Sequence, residues 1–415
     1  MSTKSLLFMA LGLIMFSQVS FSQENVENKK EENKKIELKP YGFVKGDMVY
    51  SNASVTSFGA SNLGAPQIVS STGNDQSALG FTAQHTRFGL KGSVGEKIKA
   101  GGVIELDFYG GAFDANIKPR IRLAYASVTA GGFEARMGQQ WDIFSPNNAN
   151  TNNTNANMWY AGNRGFRRAQ LQLSYKISNK VFAPMVQVSL AEATKEESGL
   201  GKDNISGMPM FQARVSGKIM EKYEIGLSYV NATYTELENT IEATSNTTTN
   251  PIKDTLKSDF NFKTSGIGVD FNLPFHKYFS LLGEFNTGKN LNDANLFNIA
   301  GNHSWKIVGG DVVKNDKKSM GLWFNATSNI TSWLNVVVGY GCDKNTSDDL
   351  VEGNIARNRV VYGDLVFPIK HGFSFALEYQ YITTNKITVL DTDGDIAHTD
   401  RFTAGIINLS AKITF

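Results

Sequence analysis

Behind a short leader, apolar and polar residues alternate in about sixteen segments, and the connections between them are short and long by turns. The short ones are 94–97, 129–132, 178–179, 220–222, 273–276, 329–332 and 367–372. Long polar stretches separate them at 51–77, 110–116, 142–163, 192–206, 236–257, 290–317, 343–355 and 386–399. Link lengths alternate in this way when every strand crosses a membrane once, with tight turns on the periplasmic side and long loops outside. The expected fold is all-β: a single 16-stranded antiparallel transmembrane β-barrel over residues 38–415, with short periplasmic turns and long external loops.

The period of two is plainest in FTAGIINLSAKITF, where Ile407, Leu409, Ala411, Ile413 and Phe415 share one face. Asn408, Ser410, Lys412 and Thr414 take the other, as a pleated strand requires. A final strand ending in Phe resembles the assembly signal of bacterial outer-membrane proteins. Phe373, Phe375, Leu377, Tyr379 and Tyr381 repeat the theme, and so do Ile104, Leu106 and Phe108. Tyr41, Phe43, Tyr278, Phe279, Trp333 and Phe367, near segment ends, suit interfacial girdles; in a soluble sandwich they would be core. Lipid offers no hydrogen bonds, so a barrel must close on itself. A ring of this strand number leaves a water-filled lumen.

Composition agrees with strands that have one lipid face and one wet face. Hydrophobic residues make up 41% and charged ones only 19%, and mean hydropathy is still negative at −0.25. A net charge of +2 with no basic block gives no reason to expect nucleic acid. Cys342 is the only cysteine, which rules out an intrachain disulfide. Lys4, the apolar run from Leu6 to Phe16 and the small residues Ser20 and Ser22 have the layout of an export signal. We expect residues 1–22 to be that signal, cleaved during delivery to the bacterial outer membrane, and 23–37 to be a polar periplasmic segment. This segment is either a solvated linker or a short helix associating between subunits.

With the apolar face towards lipid, the first third of the barrel turns seven basic residues inward: Arg87, Lys91, Arg120, Arg122, Arg136, Arg164 and Arg168. Glu105, Asp107 and Glu134 oppose them. Folding the strands about their connections sets Asp107 opposite Arg120, Glu105 opposite Arg122, and Arg87 opposite Glu105. Two readings are open. The ion pairs stiffen the wall, or the surplus arginines form an anion-attracting strip, for which the planar, always-charged guanidinium is suited. Selectivity also needs a constriction. The stretch DIFSPNNANTNNTNANMWYAGN at 142–163, with Trp159 and Tyr160, is the candidate to fold inward, and an ordinary external loop has the same composition.

The runs FTAQHTRFGLKG, GGVIELDFYGG, IKPRIRLAYASVTAGGFEARMGQQWDIFSP and GNRGFRRAQLQLSY span Phe81 to Tyr175. They resemble the DcaP-like trimeric porins. The resemblance implies a trimeric outer-membrane barrel passing small, often anionic solutes such as dicarboxylates, with Arg87, Arg120, Arg122, Arg136 and Arg168 at the constriction. The polar tail is shorter than the periplasmic coiled coil some members carry.

Other classes have thinner support. Five scattered histidines with no HExxH pair and no GxSxG elbow give no enzyme and no cofactor motif. Asp391, Asp393 and Asp395 could gather a cation, but they lack the spacing and closing Glu of a calcium loop; a polar turn is the alternative. A surface adhesin or receptor rests only on Asn/Thr-rich loops, and a phosphate-selective porin would use the same arginines. The expected partners are two further copies in a homotrimer, outer-membrane lipid and lipopolysaccharide, and small anionic solutes.

Overall fold

A computed structural model describes residues 36–55, 69, 76–110, 118–152, 158–193, 208–236, 240–242, 253–255, 260–308 and 311–415. The export-signal expectation, nearly all of the polar segment, and much of the stretches at 51–77, 110–116, 192–206 and 236–257 lie outside the described residues.

The main sheet has seventeen strand segments. Ala78–Thr82 and Arg87–Val94 both pair with Glu37–Ser51 and form one interrupted strand, so the closed antiparallel ring has 16. At the interruption, Thr86 stands in for the missing ladder: its hydroxyl accepts from the Lys45 N–H at 3.1 Å and donates to the Lys45 carbonyl at 3.3 Å. The seam joins the first strand to Ile396–Thr414, with Val44 opposite Ile413 and Tyr50 opposite Ile407. Gly42 and Phe415 exchange backbone hydrogen bonds of 3.1 Å. No edge of the ring is left unpaired, as a lipid setting demands.

The ring is inside out relative to a soluble domain. Ile407, Leu409, Ile413 and Phe415 are exposed, whereas Asn408 and Ser410 are buried. The same inversion holds elsewhere, with Val186, Val215 and Leu227 outside and Gln172, Gln212 and Ser216 inside. A two-sheet core would have buried the first set; apolar exposure on this scale fits contact with lipid. Tyr278, Phe279 and Trp333 are exposed near the tight turns. Tyr41 and Phe43 are not girdle residues: they share the inward parity of Lys45 and Asp47 and meet Lys91 and Arg87.

Six of the seven short links fall at tight turns between neighbouring strands; 273–276 instead lies inside the strand Phe260–His276, and the turn there is at 277–278. Gly95 shows why such turns need glycine: its φ is +96°, and a Cβ there would lie 2.2 Å from the Ile98 carbonyl oxygen. The stretch 386–399 is not a loop. Phe373–Leu390 and Ile396–Thr414 stay paired up to Leu390 and Ile396, leaving only 391–395 as a turn. There the Asp391 carboxylate accepts from the backbone N–H groups of Asp393 at 3.0 Å and Asp395 at 2.8 Å. Asp391, Asp393 and Asp395 thus form a polar turn, and among the described residues no group of three or more His, Cys, Asp or Glu side chains could hold a metal ion.

Candidate functional site: an inward loop opposite a basic wall

The Phe133–Trp141 strand gives way to Asp142, whose N–H reaches the Phe166 carbonyl at 2.9 Å and closes the neck of the loop. The Asp142 carboxylate accepts from Arg168 Nε at 2.9 Å and Gln212 Nε2 at 2.8 Å. Gln212 returns its Oε1 to the N–H groups of Ile143 and Phe144 at 3.1 and 2.9 Å. The chain is thereby turned off the rim and into the barrel.

From there the loop runs along the inner wall, away from the strands that emit it. Phe144 is fully buried, seated where Gly266 and Gly268 leave room: a Cβ on Gly266 would come within 3.3 Å of its ring. Glu284 then receives the Ser145 hydroxyl, the Asn147 N–H at 2.7 Å and, from the wall itself, Trp323 Nε1 at 2.9 Å. A buried carboxylate with no cation beside it is tolerable only when its oxygens are hydrogen-bonded in this way. Farther on, the Asn150 N–H donates to Asn325 Oδ1 at 3.0 Å and the Asn152 N–H to Glu378 Oε2 at 2.7 Å. The Asn152 amide donates to Asn408 Oδ1 at 2.9 Å and accepts from Ser410 at 2.8 Å. Asparagine suits this path because each amide offers both donors and an acceptor without a charge.

The returning limb is held as firmly. Tyr160 O accepts from Asn358 Nδ2 at 3.0 Å, and Gly162 O accepts from Asn286 Nδ2 at 2.7 Å. Arg164 grips Asp343 with both terminal nitrogens, at 2.6 and 2.8 Å, and both side chains are fully buried. Breaking such a pair costs about 3–5 kcal/mol, because it strands a buried charge. Trp159 and Tyr160 are buried as well, packed on Phe297 with ring centroids 4.9 and 5.4 Å away. They anchor the loop to the external segment that carries Phe297.

The loop lies over strands from Met210–Ile219 round to Ile396–Thr414 and reaches Lys45 on the first strand. The opposite wall carries the basic cluster. Arg120 makes a bidentate pair with Asp107 at 3.0 and 2.6 Å. Arg122 bridges Glu105 at 2.7 Å and Asp107 at 3.0 Å. Arg87 stands 3.6 Å from Glu105, too far for a hydrogen bond, and Arg136 meets Glu134 at 2.9 Å. Among the described residues, none of the loop hydrogen-bonds to Arg87, Arg120 or Arg122.

Register explains which expected pairs hold. Asp107 is opposite Arg120, but an irregularity at Glu105/Leu106 puts Leu123 opposite Glu105, and Gly89 rather than Arg87 faces Glu105 from the other side. Arg122 and Arg87 reach Glu105 diagonally. Rings support the cations: Arg87 over Phe43 at 5.2 Å, Lys91 over Tyr41 at 4.7 Å, Arg136 over Tyr125 at 5.3 Å. Solvent access separates their roles. The Arg87 and Arg120 side chains are 23% and 25% exposed and Arg136 is 34%, whereas Arg122 is 9% and holds the carboxylates in place.

Arg164, on the loop's returning limb, and Arg168, at its neck, lie apart from this wall, with Asp343 and Asp142 as their partners. Arg167, in contrast, belongs beside the cluster, sharing the Trp141 ring with Arg122 at 4.9 and 6.0 Å. It is buried, and its Nε and Nη1 have no hydrogen-bond partner. Strict alternation assigned inwardness to Arg168 and so passed over its neighbour. The signal available was Trp141, which pairs directly with Arg167 across the strands. The loop anchors Glu284, Asp343 and Glu378 had no sequence signal beyond inward parity.

No family model and no curated protein matches the chain. Solved structures do. The outer membrane channel DcaP of Acinetobacter baumannii superposes with a TM-score of 0.68 at 19% identity, over 94% of this chain and 100% of that one. An anion-selective porin from Comamonas acidovorans gives 0.56 at 11% identity, over 92% and 100%. Salmonella typhi OmpF, solved in complex with daunomycin, gives 0.52 at 11%, over 93% and 100%. The fold is thus that of the outer-membrane porins.

Proposed function

We propose that the chain is a passive porin of the bacterial outer membrane, acting as a homotrimer and passing small hydrophilic solutes with a bias towards anions of the dicarboxylate kind. The observation that carries this reading is an asymmetry between two sides of the lumen. One side of the lumen is sealed by a neutral, asparagine-rich loop, and the other presents Arg87, Arg120, Arg136 and Lys91. Among the described residues, the acids paired with Arg87, Arg120 and Arg122 are Glu105 and Asp107, two carboxylates for three guanidinium groups, which favours an anionic solute. At 4 Å and an effective dielectric of 20, one such contact is worth roughly 4 kcal/mol, against about 1 in bulk water. The loop raises that leverage by displacing water from the cross-section. A carboxylate would pass from one guanidinium to the next, each partly engaged by Glu105 or Asp107 and so unable to trap it. The likeness in fold to the anion-selective Comamonas porin supports the same direction of bias.

Planar-bilayer recording in a salt gradient tests it. The expected reversal potential has the sign of anion preference. Cation preference would refute the bias, and absence of conductance would remove the channel.

A further inference from the structure

Next to the tight turns at 95–97 and 131–132, the inner face of the barrel carries a hollow of about 280 Å³ that the transport reading does not use. The strand pairing builds it. Lys39 is opposite Lys91, and Glu37 is opposite Ser93. Ser93 is in turn opposite Gly101, and Gly101 is opposite Ser127. Nearest the turns, Lys99 is opposite Thr129, which is opposite Glu134. The absent side chain of Gly101 sets the floor. A Cβ there would lie 3.2 Å from Ser127 Oγ and 3.7 Å from Ser93 Cβ, so without it the two serines flank open space.

The lining is chemically mixed. Lys39 and Lys91 are like charges placed directly opposite each other, which destabilises a sheet and favours an anion between them. Among the described residues, no carboxylate is salt-bridged to Lys39, Lys91 or Lys99, whereas Glu134 is engaged by Arg136 at 2.9 Å. The hydroxyls of Ser93, Ser127 and Thr129 make no hydrogen bond among the described residues either, so each offers a donor and an acceptor to a guest. Glu37 and Glu134 complete the lining and decide which anion fits. A second carboxylate on the guest would be repelled by them, but a hydroxyl donates to them in a charge-assisted hydrogen bond. Tyr125 is the aromatic residue of the lining.

We infer that this hollow is a binding station for singly charged, hydroxylated anions of the sugar-acid class, with the carboxylate among the three lysines and the hydroxyls on Ser93, Ser127 and Glu37. The inference deepens the anion reading and rests on it for the arrival of the solute. Lys91 stands four residues along the strand from Arg87, roughly 13 Å at about 3.3 Å per residue. A solute leaving the guanidinium groups for the periplasm meets this site next. Its volume is at the lower end of ligand pockets, about 300–1,000 Å³, and suits a single sugar ring.

The test uses the full chain in detergent and reads dissociation constants by ligand-observed NMR titration. Three probes separate the contributions: glucuronate; cyclohexanecarboxylate, with the ring and charge but no hydroxyls; and glucose, with the hydroxyls but no charge. The wild type should bind glucuronate about tenfold more tightly than either of the others. Ser93→Ala with Ser127→Ala should bring glucuronate close to cyclohexanecarboxylate, while Ser93→Thr with Ser127→Thr, which keeps both hydroxyls, should retain the preference. Lys39→Gln with Lys99→Gln should weaken both carboxylates and leave glucose as it is. Heat-modifiable mobility checks that each variant is folded. Equal affinity of the wild type for glucuronate and cyclohexanecarboxylate overturns the inference, and so does a glucuronate preference that survives the alanine pair. The reversal potential in a chloride gradient is read separately. Anion preference without glucuronate preference removes the station alone, whereas glucuronate preference without anion preference removes the bias and leaves the station standing.

Discussion

Lys45 on the first strand donates from Nζ to the carbonyl oxygen of Asn152 at 2.6 Å, across 107 positions of sequence. The far reach of the inward loop is thereby tied to the strand next to Arg87 and to the seam of the barrel. The inward loop is held in place from both ends: Asp142 and Arg168 at the neck, Lys45 with Glu378, Asn408 and Ser410 at the far end.

A covalent link at that tip should be silent. In a Cys342→Ser background, Asn152→Cys with Ser410→Cys should oxidise readily, since these side chains already touch at 2.8 Å. Conductance should be the same oxidised or reduced. A large fall on oxidation would show that the loop normally rests elsewhere.

Glu284→Ala removes the acceptor for Ser145, Asn147 and Trp323 at once. At about 1 kcal/mol per hydrogen bond, the loop, which makes two of the three, loses roughly 2 kcal/mol of attachment. Single-channel records should show larger, noisier openings, with the barrel's heat-modifiable band preserved. Openings indistinguishable from wild type would mean that the remaining anchors suffice.

Arg87→Gln and Arg122→Gln should part company. Arg87 is 23% exposed and makes no hydrogen bond to Glu105, so its loss should lower anion preference and cost less stability than the loss of Arg122. Arg122 bridges two buried carboxylates, so its loss should destabilise by about 3–5 kcal/mol. Reversal potentials and melting in detergent distinguish the two. Identical behaviour would return the whole cluster to a structural role.

Asp316 gives the external segment a pH dependence. Burial pushes its carboxyl up, but the hydrogen bonds from Lys289 and Asn290 and the charge of Lys289 outweigh that and hold it below the usual carboxylate value. A group depressed on folding stabilises above its unfolded pKa and stops doing so as pH falls through the folded one. Contact between this segment and the rim should therefore hold at pH 5 and above and weaken below about pH 4. The effect is modest, because the pair is partly exposed. Limited proteolysis across that range should show nicking near 316 only at the acid end, and Asp316→Asn should blunt the pH dependence.

The ring is legible because lipid and water impose a period of two along the strands, broken only locally where the register shifts, as at Glu105/Leu106. The loop is not. Asn147, Asn150 and Asn152 look like any solvated stretch until Glu284, Asn325 and Glu378, all more than a hundred positions away, are brought opposite them. Charge pairing lay in between. Asp107–Arg120 followed from folding two strands about their connection, while one irregular residue pair at Glu105/Leu106 changed how Arg122 and Arg87 reach their acid. Threonines and aspartates mask the alternation beyond Lys386 and give that hairpin the composition of a loop, although Ile387, Val389 and Ile396 continue the ladder.

The seam that pairs Val44 with Ile413 has a kinetic consequence. Until the last strand arrives, the first has no permanent neighbour on one side, and every intermediate shows two raw edges to whatever surrounds it. Insertion can therefore be completed only in one final zippering step, and until then the growing wall must be chaperoned or lent a temporary edge by other machinery.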